Sequence, residues 1–159
     1  MIRYSSETTI ARPPAVVLDA LLDPARYAQW TDMVDMEFDS PGRPVVGTSG
    51  RFRLSKGDIK GMIEMKVREL VPDSRLVVQM THPQFDWTSI STLDQVPGGT
   101  KLTYAGEMSL HGWRRILEPM VGREITAGEG KEVERLKELL EAAPIASAEP
   151  AAPAGAATA

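Results

Sequence analysis

Trp113-Arg114-Arg115-Ile116-Leu117-Glu118-Pro119-Met120-Val121-Gly122-Arg123-Glu124-Ile125-Thr126-Ala127-Gly128-Glu129-Gly130-Lys131-Glu132-Val133-Glu134-Arg135-Leu136-Lys137-Glu138-Leu139-Leu140-Glu141-Ala142 is the stretch whose reading decides the fold. At roughly 100° per residue, Val121, Ile125, Val133, Leu136, Leu139 and Leu140 share one arc, which predicts a single long closing helix. Lys131, Glu134, Arg135, Lys137, Glu138 and Glu141 mostly take the other side, with opposite charges three and four apart. Pro119 stands near the start or kinks it. The apolar arc is interrupted: Gly122 and Gly128 fall within or beside it, and Glu129 and Glu132 lie inside its span. A mid-helix glycine costs up to about 1 kcal/mol relative to alanine, so Gly122, Gly128 and Gly130 call for a reason. Two are open: close packing against a sheet, or room left for a ligand.

Working back from that helix, the chain is β-rich. Thr100 to Leu110 alternates Leu102, Tyr104, Gly106, Met108 and Leu110 with polar residues, after the turn Val96-Pro97-Gly98-Gly99. Phe85 to Leu93 puts Trp87, Ser89, Ser91 and Leu93 on one face, and Arg75 to Thr81 does the same with Leu76, Val78 and Met80. Ile59 to Leu70 reads as a strand with Ile59, Gly61, Ile63, Met65 and Val67 inward. Thr48 to Leu54 and Met33 to Phe38 are two more. At the front, Ile2 to Arg12 is a strand with Tyr4, Ser6, Thr8 and Ile10 on one side. Pro13-Pro14 and Asp23-Pro24 then open two short helices, the second carrying Tyr27 and Trp30 three apart. Successive strands joined by short turns are antiparallel. Their polar outer residues leave one face wet, so the inner face needs a cover that only the last helix is long enough to give. The expected fold is α+β: about seven antiparallel strands curved around a long C-terminal helix, with two short helices after the first strand.

Composition narrows the function. A chain of 159 residues with 42% hydrophobic and 25% charged residues suits one domain with a real core. A net charge of −4 without a Lys/Arg-rich run argues against a nucleic-acid partner. No apolar run is long enough to span a bilayer, and Met1-Ile2-Arg3-Tyr4 enters patterned sequence directly, so no signal peptide is expected and the cytoplasm is the default compartment. The absence of cysteine removes disulfides and thiol chemistry, and two histidines, His82 and His111, are too few for a histidine-built metal site. No cofactor or metal is expected. Residues 143–159, rich in Ala and Pro, read as a disordered tail after a domain of residues 1–142.

Four segments carry a resemblance: Ala11-Arg12-Pro13-Pro14-Ala15-Val16-Val17, Asp23-Pro24-Ala25-Arg26-Tyr27-Ala28-Gln29-Trp30, Gly98-Gly99-Thr100-Lys101-Leu102-Thr103-Tyr104 and Leu136-Lys137-Glu138-Leu139-Leu140-Glu141. With the order strand, two short helices, six strands, long helix, the chain resembles the helix-grip proteins of the SRPBCC superfamily. These include START-related lipid-binding domains, birch-pollen-allergen-like proteins and polyketide cyclases/dehydrases. The resemblance implies a cavity between sheet and helix for a hydrophobic or amphipathic small molecule.

The residues give that cavity a physical basis of their own. Gly61, Ser89, Ser91 and Gly106 are too small to reach the helix and stand opposite Gly128, and facing small residues leave volume. Met62, Met65, Met80 and Met108 suit adaptable apolar walls. Trp30, Phe38 and Trp87 are candidate stacking walls, and Ile63, Val78, Leu102, Val121 and Ile125 candidate lining. Candidate anchors are His82, Ser89, Ser91, Tyr104 and one of Glu129 or Glu132. Each has a plainer reading: a rim histidine, a core tyrosine, serines bonded to backbone, a wet helix-edge glutamate. A buried glutamate would have a raised pKa and suit proton transfer near neutrality. His111 reads as structural. There is no Gly-x-Ser-x-Gly, phosphate loop or dinucleotide motif. Three functions follow in order: binding of a lipid-like or aromatic polyketide-like molecule; a cyclase or dehydratase using the same cavity, with His82, Tyr104 or Glu129 moving protons; and a co-chaperone or assembly role.

Overall fold

Hydrophobic alternation is realised as seven strands, and tight turns join the last four into successive antiparallel neighbours. The computed structural model describes residues 1–143, so the expected tail lies almost wholly outside the described residues. In chain order the elements are β1 (Ile2–Ile10), α1 (Pro14–Leu21), α2 (Pro24–Trp30), β2 (Met33–Phe38), β3 (Ser49–Leu54), β4 (Ile63–Val71), β5 (Arg75–His82), β6 (Phe85–Val96), β7 (Gly99–Leu110) and α3 (Glu118–Ala142). The strands form one open antiparallel sheet in the order β1-β7-β6-β5-β4-β3-β2. Because β1 and β2 are the two edges, α1 and α2 span the concave side between them. The α+β helix-grip expectation holds. Among the described residues no helix is long and apolar enough to cross a membrane.

Two boundaries shift for local reasons. Gly57 and Gly61 take φ of +84° and +87°, in the left-handed region that glycine tolerates, so β4 begins only at Ile63. Gly61 therefore lies in an exposed turn and not on the inner face, a correction to its expected place. The closing helix starts later than Trp113. Gly112–Leu117 forms a 3-10 turn, and α3 opens at Glu118 with Pro119 in its first turn, where a missing N–H costs nothing.

Helix α3 rests mainly on β1 and touches α2. A Cβ on Gly122 would come 3.3 Å from the Ile2 side chain, so here the glycine serves close helix–strand packing. The far end is fastened by Arg12, whose Nη2 donates to the Glu141 and Ala143 carbonyls, each at 2.9 Å. At the near end the Leu110 amide donates to Glu118 at 3.0 Å.

Gly106 corrects a second expectation. Its cross-strand partner is Tyr4, which leans over the glycine so that an added Cβ would stand 2.3 Å from the phenol oxygen. The space is filled from the neighbouring strand. There the Tyr4 hydroxyl accepts a 2.6 Å hydrogen bond from Trp87 Nε1, tying β1 to β6 across β7. Replacing Gly106 by alanine must displace this ring; we expect a loss of about 2 kcal/mol or more in urea unfolding. Tyr4→Phe, which strands a buried indole N–H, should cost about 1–3 kcal/mol. An unchanged midpoint in both variants contradicts this packing.

Candidate functional site

The phase of α3 decides which polar group enters the interior. Val133, Leu136 and Leu140 are buried, and Glu129 lies four residues before Val133 and seven before Leu136, on the same stripe. Glu129 is accordingly 6% exposed. Gly128, one residue back, is exposed with open space around an added Cβ, so its expected position opposite the sheet's small residues is corrected. Glu132, one turn on from Glu129, is half-buried.

A continuous run of aromatic rings crosses the interior near these acids. Tyr27 and Trp30 of α2 are 5.1 Å apart, Trp30 meets Tyr104 of β7 edge-on at 6.2 Å, Tyr104 meets Tyr4 at 6.4 Å, and Tyr4 meets Trp87 at 6.5 Å. Burial, and then the Glu129 charge, hold the Tyr4 and Tyr104 hydroxyls well above their usual range. Burial and Glu132 do the same for Tyr27, whose hydroxyl donates to the Leu21 carbonyl at 2.7 Å. All three phenols stay neutral at physiological pH. Burial and the neighbouring Glu132 push the Glu129 carboxyl up to about 8. Burial likewise pushes Glu132 up to about 7, with the Asp32 backbone pulling the other way. Glu129 is thus a neutral acid near pH 7.

Two buried polar atoms among the described residues have no protein partner: Trp30 Nε1 and Glu129 Oε2. Such groups are costly in an apolar interior. Tyr27 and Tyr104, the rings flanking Trp30, also border an interior cavity. Its other walls are Leu21 and Leu22 of the α1 end, Met33, Met36 and Phe38 of β2, and Phe52, Met65, Val67, Leu76, Val78, Met80 and Ser89 of the sheet. Its water-accessible volume is about 30 Å³, room for a water or two. The expected hollow is therefore small, and it lies beneath α2 and β2, with no α3 side chain among its walls.

The expected site residues divide accordingly. Phe38, Met65, Val78, Met80, Ser89 and Tyr104 come together around the cavity, with Trp30 beside them. Ile63, Leu102 and Ser91 are buried in the core, while Val121 and Ile125 pack against it from α3. Trp87 and Met108 are buried further along the sheet, where they pair across β6 and β7. His82 is a structural histidine: it stacks on Phe85 at 5.1 Å, its Nε2 bonds the Lys60 carbonyl at 2.9 Å, and its Nδ1 accepts from the Gln84 amide at 3.2 Å. His111 bonds the Asp86 carboxylate and then the Pro83 carbonyl, and both raise its pKa. The sequence reading did not single out Tyr4, Tyr27 and Met36 as site residues. Tyr27's spacing from Trp30 was the available signal, whereas Tyr4 and Met36 enter only through strand register. A broader groove of about 400 Å³ on the outer face is lined by charged residues, but Arg51 is paired with Glu37 and Arg68 with Gln79. That groove does not suit an apolar ligand.

Residues 1–141 match the family described as polyketide cyclase / dehydrase and lipid transport. The chain belongs to that family. Among solved structures it is similar to protein MLL2253 from Mesorhizobium loti, at 20% identity over 90% of this chain and 99% of that one, with a TM-score of 0.68. It is also similar to the Aha1 dimer from Colwellia psychrerythraea, at 19% identity over 89% and 98%, with a TM-score of 0.66. A third similar structure is DynU16, a protein of the dynemicin biosynthetic locus, at 23% identity over 89% of this chain but 48% of that one, with a TM-score of 0.64. At these identities the likeness speaks to fold alone. No curated protein matches the chain.

The raised carboxyls set a pH dependence. Between about pH 4.5 and 8 the folded protein holds a proton on Glu129 that the unfolded chain has released. The stability this group contributes is whole below pH 4.5 and drains as pH rises to 8. Urea midpoints should therefore fall across that interval, with a slope from Glu129 approaching about 1.4 kcal/mol per pH unit. Glu129→Gln should flatten the profile and stabilise the protein at pH 8. A Glu129→Gln profile parallel to wild type contradicts the assignment.

Proposed function

We propose that the protein binds a hydrophobic or amphipathic small molecule, lipid-like or aromatic and polyketide-like, in the concave space beneath the helices. Its apolar body lies against the methionine-rich walls, and an oxygen of the ligand meets the polar atoms beside them. The observation that carries this reading is the buried Glu129 carboxyl, with one oxygen unpartnered at the edge of an aromatic run. A neutral carboxylic acid and an indole N–H are both donors, suited to a carbonyl or hydroxyl oxygen. Met36, Met65 and Met80 border the cavity, and unbranched methionines re-pack readily as a ligand enlarges it. Membership of a family whose description includes lipid transport supports the same reading.

The acid beside Tyr4 and Tyr104 favours a second reading, a cyclase or dehydratase. A carboxyl poised near neutrality gives and takes protons, while neutral phenols stabilise an enolate oxygen as it forms. Here Glu129 moves the proton and Tyr104 donates to the oxygen.

Thermal unfolding with a panel of fatty acids, polyphenols and aromatic polyketones separates the outcomes. A bound member at about a hundredfold excess over its Kd should raise Tm by about 5 °C or more. Glu129→Gln that keeps the Tm shift but abolishes product formation selects the enzyme. A flat response to every apolar ligand, with nothing co-purifying by native mass spectrometry, contradicts both.

A further inference from the structure

The segment leading into α3 is apolar on two sides. Leu117, Val121 and Ile125 pack against the core. Trp113, Ile116 and Met120 face outward, 67%, 81% and 58% exposed. In a 3-10 turn residues three apart eclipse, so Trp113 and Ile116 stand in line, and Met120 follows one α-helical turn later. The result is an apolar ridge. A monomer gains nothing by holding three such side chains in water along one line.

The charges beside the ridge indicate its partner. Arg114, Arg115 and Arg123 fall in the same stretch of a chain whose net charge is −4. The Arg114 guanidinium stands 5.2 Å from the Trp113 ring centre. The acids of the stretch are Glu118 and Glu124, and Glu118 is already engaged by the N-terminal ammonium and the Leu110 amide. We propose that this ridge docks on an anionic membrane surface. Trp113, Ile116 and Met120 enter the boundary between headgroups and acyl chains, and Arg114 and Arg123 meet lipid phosphates, while Arg115 Nε donates to the Leu110 carbonyl at 3.2 Å.

Shape and charge disfavour other occupants. Ile116 is the most exposed large apolar residue among the described residues, so the ridge suits a deformable layer better than a folded partner lacking a matching groove. A second copy docked about a twofold axis would gather the arginines of both copies into one interface. Tryptophan, aliphatic and arginine side chains on a short helical segment are the composition of an interfacial anchor, each cation adding to the attraction of an anionic leaflet. This surface does not depend on what the cavity holds.

Co-sedimentation with vesicles tests it. The full chain should bind phosphatidylcholine vesicles containing about a third phosphatidylglycerol at low salt, and bind pure phosphatidylcholine vesicles far less. Raising the salt should release it. Trp113→Ala with Ile116→Ser, or Arg114→Glu with Arg123→Glu, should weaken binding about tenfold. Trp113, Ile116 and Arg123 are exposed and Arg114 half-buried, so the melting temperature should change little. Failure of the wild type to bind the phosphatidylglycerol vesicles overturns the proposal. So does equal binding by the apolar double variant, or a change in sedimentation velocity that shows the ridge joining two copies.

Discussion

An acid buried among aromatic rings is the constraint on which the candidate site depends. Glu129 sits on the one stripe of α3 that faces inward, between residues that make ordinary core contacts. The carboxyl instead has its pKa raised by burial and by Glu132, and leaves an oxygen unpartnered. Interiors rarely retain such a group without something for it to meet. The geometry around it, from Tyr27 through Trp30 and Tyr104 to Tyr4, keeps that meeting place apolar except at a few donors.

The sheet explains why this arrangement holds its shape. β1 and β2 are its edges, and the helices that connect them roof the concave side. The Tyr4–Trp87 bond braces β1 across β7, and α3 lies on β1 through Gly122. Glu129 and Tyr4 are thus carried by two elements packed directly together. The cavity lies under α2 and β2, lined by unbranched methionines, and reaches Tyr104, the ring whose hydroxyl feels the Glu129 charge.

Much of this was legible in the sequence because alternation has a period of two and cannot drift. Leu102, Tyr104, Met108, Trp87, Ser89, Met80 and Met65 all face inward as their spacing requires. What alternation could not supply was register. Gly106 looked like a gap until Tyr4 stood opposite it. The alternation around Gly61 points to a strand, whereas its positive φ ends the pattern before Ile63. The helix arc placed both Glu129 and Glu132 near the interior, and only the packing of Val133 and Leu136 fixed its phase to bury the first and turn Gly128 out. The small size of the cavity was also beyond sequence, since small residues leave volume only if no neighbour leans into it.

The ionisation of Glu129 is the most direct measure of this account. Carbon-13 labelling of its side-chain carboxyl, followed by NMR across pH, reads the group itself. The account predicts a transition centred near 8, far above the usual 4.5, because burial and Glu132 both oppose the charge. A transition near 4.5 would mean that the carboxyl is solvated, and the buried acid at the centre of the proposed site would not exist.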